Sequence, residues 1–365
     1  MNRRPLHVIT VMILTPALAI TQTVAIPSPV SCATCSIVLR PHATIRGAEF
    51  RGPSGSIARG MDGTIFLVDN SDGIVKAFDP SGRFVKAIGR KGGGPGEYEK
   101  VIDIGTDRNA QLHLFDAVLA RWSVFGLDGT YRTSKPLPAY NIRAKAVLVR
   151  GDDGLVVNTP HAGAAGSSSS LTLVDQRGQT VRAIDVIQGN PRMSWLFERR
   201  LCAMPGGGFL AVHPYTFAFD LYSAAGDKVG SFVRVADWVP RSAPTQLPSD
   251  GVFERPLDAF IMDVWSDANG LVWISALVPS NRWSPVPHPE RGRMPSRDSL
   301  FALAARPRAE AIVEVIDLQK QAVVARAKFD RPIGVVFADG YVARDEPDSA
   351  DEPLVRISRL QLQRR

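Results

Sequence analysis

The sequence predicts an all-β protein made of six repeated units, each of four short antiparallel strands, and three observations lead to it. The first is strand character. "TIFLVD", "IVKAFD", "LHLFD", "WSVFGLDG", "LTLVDQRG", "LVWISAL" and "IVEVIDL" are short, rich in β-branched or aromatic residues, and bounded by Gly, Asp, Asn or Pro. The second is the lack of a helical period: the best candidate, Asp298 to Ala311, is interrupted by Pro307. The third is a recurring turn. Outer turns fall at Gly82, Gly129, Gly178 and Gly226, spaced by 47, 49 and 48 residues. Inner turns fall at Gly63, Asn109, Gly154, Gly207, Gly270 and Gly340. Asp-Gly and related pairs suit two-residue hairpins, which need φ > 0. Six units with a period in the forties and four strands each describe a six-bladed β-propeller.

Taken in chain order, the first element is a leader. "MNRRPLHVITVMILTPALAITQTVA" sets two arginines before a short apolar run, then small-x-small sites at Ala17-Leu18-Ala19 and Thr23-Val24-Ala25. The run is shorter than the ~20 residues of a membrane span and contains Pro16, so residues 1–25 are assigned to an export signal. Arg3-Arg4 has flanks that suit a twin-arginine signal poorly. The expected location is periplasmic or extracellular. Pro29 stands where a lipoprotein signal needs an aliphatic residue, so lipidation at Cys32 is disfavoured.

Residues 26–53 hold "CATC" and then "SIVLRPHATI", which reads as strand. In an oxidising compartment Cys32 and Cys35 are expected to form a local disulfide. A four-ligand metal site would need a second pair, and thioredoxin-like chemistry would need the CxxC to open a helix. Cys202 stands alone in "RRLCAMPGGG" and reads as a buried small hydrophobe. A propeller must close its ring or leave strand edges open. The strand Ile37 to Gly47 is placed to join the last blade, with the CxxC pinning its start. The propeller itself spans 54–362, with blades near 54–92, 98–139, 143–188, 198–238, 258–330 and 331–362 and an insertion at about 279–310.

"FDPSGRFVKAIGRKGGGPGEY" joins blades one and two. It resembles the blade-to-blade segment of NHL-type six-bladed propellers, and in particular exported bacterial propellers that carry a CxxC just after the signal. The likeness covers about residues 32 to 360, is strong in blades one and two, and fades later. In this stretch Gly89, Gly92, Gly94, Pro95, Gly96 and Glu97 form the connector, with Glu97 holding it through backbone amides or Arg90. A phosphate role fails on detail. A P-loop needs Gly-Lys-Ser/Thr opening a helix, but Glu97-Tyr98 follow Gly96, and the dinucleotide fingerprint fails at Glu97. "DNSDG" (Asp69 to Gly73) likewise misplaces the Gly and Glu of a calcium loop.

Function must come from loops at the channel mouths, because the fold alone assigns none. The formal charge is +7, including Arg3 and Arg4, and no block of clustered cations marks a nucleic-acid surface. No Ser-His-Asp motif, HExxH or GxSxG occurs. His213 ("AVHPY") is the best channel histidine; His42, His113, His161 and His288 do not recur from blade to blade. Two enzyme classes share the architecture. Gluconolactonase-type propellers hold one divalent metal with carboxylates and Asn, for which Asp103, Asp263 and Glu198 are candidates. Amidating-lyase relatives of the NHL group hold zinc with histidines. The aromatics of blades four and five read mostly as core between blades. Arg282, Trp283, Arg291 and Arg293 in the blade-five insertion are not demanded by the repeat and suit a binding hot spot.

The expectation is an exported, non-catalytic monomer without a resident cofactor. It binds a protein, peptide or glycan through Arg282, Trp283, Arg291, Arg293 and His213, binds no nucleic acid, and keeps no stable membrane span once the signal is removed. The alternative is a metal-dependent hydrolase or lyase with a divalent ion in the channel.

Overall fold

A computed structural model describes residues 22–46, 53–69, 72–137, 146–151, 154–162, 167–188, 197–240, 256, 258–283, 309–337, 339–347 and 353–364. Six four-stranded antiparallel sheets form six blades. Blade 1 comprises Pro53–Arg59, Ile65–Asp69, Val75–Phe78 and Phe84–Ile88. Blade 2 comprises Val101–Thr106, Gln111–Asp116, Arg121–Gly126 and Tyr131–Pro136. Blade 3 comprises Ala146–Val149, Leu155–Ala162, Ser167–Val174 and Thr180–Gln188. Blade 4 comprises Arg200–Ala203, Phe209–His213, Ala218–Tyr222 and Lys228–Arg234. Blade 5 comprises Phe260–Ser266, Val272–Pro279, Ala309–Asp317 and Ala322–Phe329. Blade 6 takes Val335–Phe337, Tyr341–Pro347 and Pro353–Arg364 from the C-terminal end, and its fourth strand, Cys35–Ile45, from the N-terminal end.

The alternation of each strand explains the ring. In Ile65–Asp69, Phe66 and Val68 pack toward blade 2 while Ile65 and Leu67 pack toward blade 6. In Gln111–Asp116, Leu112 and Leu114 face blade 1 and Phe115 faces blade 3. A strand of period two that is apolar on both faces must be sandwiched, so each blade needs two neighbours. The six hydrophobic clusters are the six interfaces between adjacent blades. Most described aromatics of blades 4 and 5 belong to them: Phe217 and Phe219 between blades 4 and 5, and Trp265 and Trp273, stacked at 5.4 Å, between blades 5 and 6.

The ring closes as the strand pattern predicted. Cys35–Ile45 runs antiparallel to Pro353–Arg364, from Cys35 opposite Arg364 to Ile45 opposite Val355. Gly82 shows how tightly this strand meets blade 1: its φ is 91°, and an added Cβ would meet the Thr44 carbonyl oxygen at 2.5 Å. Cys32 and Cys35 form a disulfide at the entrance to the strand.

The preceding residues do more than the sequence suggested. Thr23–Ile26 adds a fifth, parallel strand to the outer edge of blade 4, so a division at Ala25 falls inside a paired strand. Val30 bridges Val323 of blade 5, and Ser31 N and Cys32 N donate to Val323 O and Val324 O. Residues 23–45 therefore run as a belt along the outer edges of blades 4, 5 and 6. A buried charge cluster secures it. Arg234 forks onto Glu314 at 2.7 and 2.8 Å, Arg326 meets Glu314 at 2.6 Å, and the two arginines donate to Ile26 O and Ser28 O.

Two local readings are corrected. The inner turn of blade 2 places Ala110, not Asn109, in the left-handed position, with φ 57°. Asn109 sits one place earlier, where its N–H donates to Asp107 Oδ1. The helical candidate Asp298 to Ala311 ends in strand, because Ala309–Asp317 pairs with Val272–Pro279; residues 298–308 lie outside the described residues.

Candidate functional site

Strand direction separates two channel mouths. One is built from the turns between the first and second strands of each blade. The other gathers the connectors between blades, the turns between second and third strands, and the root of the blade-5 insertion. Most sequence-selected residues lie toward this connector side.

Its best-defined group lies where blades 3, 4 and 5 meet. Buried Asn158 donates Nδ2 to Phe197 O at 2.7 Å and accepts from Arg199 N at 3.0 Å. The Arg199 side chain pairs with Asp185 at 2.7 Å. Glu198 is thus fixed between two anchored neighbours. Its carboxylate meets Arg200 Nη1 at 3.0 Å and accepts from Tyr215 Oη at 3.3 Å. Burial, then the Glu198 charge, pushes the Tyr215 phenol up to about 12. The Tyr215 ring lies 6.0 Å from that of Phe260. The arrangement offers a fixed ion pair, a phenol and an aromatic face, which suit recognition of a hydrogen-bonding ligand.

Asp103 and Asp263 occupy equivalent places in blades 2 and 5, four residues before the turn residues Asp107 and Asp267. Each reaches the next blade: Asp103 accepts from Val147 N and Asp263 from Val336 N, both at 3.2 Å. Burial raises both carboxyls to about 6, an effect that these N–H groups oppose and that Arg200 also opposes at Asp263. They belong to blades three apart in the ring. Among the described residues no three His, Cys, Asp or Glu side chains stand close enough to hold a metal ion, so Asp103, Asp263 and Glu198 do not converge.

His213 has a local task. Its Nδ1 accepts from Tyr215 N and Thr216 N at 3.3 and 3.2 Å. Asp116 does the same at the same place in blade 2, accepting from Val118 N and Leu119 N at 2.8 and 3.0 Å. His113 is buried, meeting Asp107 at 3.0 Å and accepting from Trp122 Nε1 at 2.9 Å. His42 packs edge-on against Tyr341 at 4.9 Å. The Cys202 thiol is pushed up to about 12 by burial, which makes it a poor nucleophile. Arg282 is exposed and donates to Asp330 O at 3.3 Å, and Trp283 beside it is half-buried. Arg291, Arg293, His288 and Trp195 lie outside the described residues, as does the side chain of His161.

The glycine-rich connector folds around its own anion. Arg90–Lys91 and Glu97–Tyr98 pair in parallel, and Glu97 accepts from Gly94 N and Arg90 Nε, both at 2.7 Å. The Gly94 N–H and then Arg90 hold the Glu97 carboxyl below its ordinary range. Gly92 has φ 143°, and a side chain there would strike the Glu97 carboxylate. Buried Tyr98 ties both blades, donating to Ile88 O at 2.6 Å and accepting from Val75 N at 2.9 Å. Arg200 went unselected in the sequence. Its signal was there: the place occupied by Asp in blades 2 and 5 carries Arg in blade 4.

The geometry defines a six-bladed β-propeller with a polar and aromatic group at one channel mouth. A family described as 6-bladed beta-propeller matches residues 56–156, that is, blades 1 and 2 and the start of blade 3. Among solved structures, the chain is similar to a member of the DUF4221 family from Bacteroides vulgatus, at 10% identity and a TM-score of 0.63, covering 91% of this chain and 99% of that one. It is also similar to a Bacteroides fragilis protein named as a candidate for export, at 11% identity and a TM-score of 0.54, covering 93% of this chain and 100% of that one. At these identities the likeness is one of fold. No relative is found among curated proteins.

Proposed function

We propose that the protein is an exported, non-catalytic propeller that binds a protein, peptide or glycan at its connector-side mouth. The observation that carries this reading is the Glu198–Arg200–Tyr215 group with Phe260 beside it. The repeat needs none of these polar side chains, yet neighbouring blades hold them rigidly. The blade-5 insertion, whose sequence carries Arg291 and Arg293, is rooted on the same side at Arg282 and Trp283. Non-catalytic character fits the chemistry of the described candidates: Cys202 is held as a thiol, and the rings of His113 and His213 serve structural hydrogen bonds. Export fits the leader and the Cys32–Cys35 disulfide, and the protein is taken to act as a monomer in the periplasm or outside the cell. No helix among the described residues is long and apolar enough to cross a membrane.

The second reading, a metal-dependent hydrolase or lyase, draws on Asp103 and Asp263, two carboxyls set deep around the channel. One set of measurements separates the two. Exported protein is screened against glycan and peptide arrays and analysed for metal after purification in metal-replete buffer. Binding that weakens about tenfold or more in Arg200→Gln and Trp283→Ala supports the first reading. A stoichiometric divalent ion with lactone-hydrolase or lyase turnover overturns it, as does the absence of any array ligand.

A further inference from the structure

The opposite mouth holds a feature that this reading does not use. A cavity of about 390 Å³ opens among the turns between first and second strands, lined by residues of blades 1 to 4 with Asp339 of blade 6. Arginines from three consecutive blades share its wall: Arg59, Arg108 and Arg150.

Two of these break the repeat where it has a structural use for another residue. In blades 2 and 5 the turn opens with Asp107 or Asp267. Asp107 Oδ1 accepts from Asn109 N and Gln111 N, and Asp267 Oδ1 accepts from Asn269 N and Leu271 N. Blade 3 has Arg150 there and gives up that cap. One place earlier, Thr106 and Ser266 donate their hydroxyls to the preceding blade, to Arg59 O and Ala203 O. Blade 1 has Arg59 there instead.

Arg59 lies 4.5 Å over the Tyr341 ring, and its buried Nε has no hydrogen-bond partner among the described residues. Neither Arg59 nor Arg108 pairs with a described carboxylate. Two carboxylates share the wall, Asp107 and Asp339; the Asp107 oxygens bond its own turn amides and His113 rather than an arginine. Arg359 approaches the same Tyr341 ring at 5.1 Å. Burial first, then the charges of Arg59 and Arg359, hold His42 below the usual imidazole range. Met61, Leu148 and Met204 give the cavity apolar wall.

We infer that this mouth is a binding site for a small organic anion, a phosphate or carboxylate carried on an apolar body. The guanidinium groups of Arg59, Arg108 and Arg150 receive the anion, and the Met61–Leu148–Met204 side receives the body. Arginine suits this use because its fork matches both oxyanions. The site is distinct from the connector-side mouth, and its success or failure is independent of that reading.

The probes are phenyl phosphate, benzoate and inorganic phosphate, titrated into the full chain by calorimetry. The expected result is saturable binding of phenyl phosphate or benzoate, tighter than that of inorganic phosphate and weakened as NaCl rises from about 20 to about 200 mM. Arg150→Gln and Arg59→Gln each reduce affinity about tenfold or more. Because Arg59 also packs on Tyr341, Arg108→Gln on the exposed turn serves as the variant that weakens binding without lowering the melting temperature. Arg182→Gln, on the outer strand of blade 3, leaves affinity unchanged. No binding of either organic anion at about 10 mM, a millimolar range in which even weak sites fill, overturns the inference. So does binding that Arg59→Gln, Arg108→Gln and Arg150→Gln all leave intact.

Discussion

Asp263 sits in the channel wall with its carboxyl raised to about 6 from an ordinary 3.8, chiefly by burial. The sign follows from the folded form holding its proton more tightly than the unfolded one. Below about pH 3 the group is neutral in both states and costs nothing. As pH rises from about 4 to 6 the unfolded chain ionises first and stability falls; above 6 the penalty is constant. Asp263→Asn removes the charge and keeps an oxygen for Val336 N. It is expected to raise stability by about 1 to 3 kcal/mol at pH 7.5, with most of the gain lost by pH 4. Thermal melts at both values check this, and an equal change at the two pH values would sink it. His213 teaches a related lesson. As a histidine at a strand end it looks like a ligand group, but it shares Asp116's position and Asp116's turn hydrogen bonds. That equivalence rests on backbone N–H directions, which composition and spacing do not carry.

The N-terminal belt is the element with the largest consequence. Thr23 to Ile26 pair in register with Ser231 to Arg234, and Ile26 is fully buried. A mature chain beginning at Ile26 would lose three of the four paired residues. It would also set a new ammonium group at a buried residue, a costly place for an uncompensated charge. Of the two small-residue sites, cleavage after Ala19 leaves the strand whole. Exported protein is therefore expected to begin at Ile20, read by intact mass or N-terminal sequencing. A first residue of Ile26 would show that the strand is dispensable. The Arg234–Glu314–Arg326 cluster fits this picture. A buried ion pair adds little net stability over apolar packing, but here its spare donors fix the path of the belt through Ile26 O and Ser28 O.

At the scale of the molecule, six interfaces of one kind form a ring with no natural first or last blade, so closure decides cooperativity. Cys35–Ile45 supplies blade 6 with its fourth strand, and Cys32–Val30 covers the edge of blade 5. Deleting residues 22–46 leaves blade 6 with three strands and exposes sheet edges on three blades. The expected outcome is loss of a single cooperative unfolding transition, with aggregation, seen by circular dichroism and size-exclusion chromatography. A cooperative melt within ~2 °C of the full chain, less than about 1 kcal/mol of stability, would count against the belt as the ring's closure.

The ring and its blade count were legible in the residues because they rest on local physics. Turn glycines recur every 47 to 49 residues, and strands apolar on both faces can only be buried between two neighbours. The closing strand could also be anticipated, since an open ring leaves unpaired edges and one spare strand precedes blade 1. Other features depend on partners far away along the chain. Arg234 reaches a carbonyl 208 residues away, Glu314 lies 80 residues from Arg234, and Arg59 stacks on a ring in the last blade. Such pairings leave no period in the sequence, because only closing the ring brings blade 6 against blade 1 and the belt against blades 4 and 5. The arginine-lined mouth and the Glu198–Arg200–Tyr215 group arise the same way, each from side chains that a single blade does not bring together.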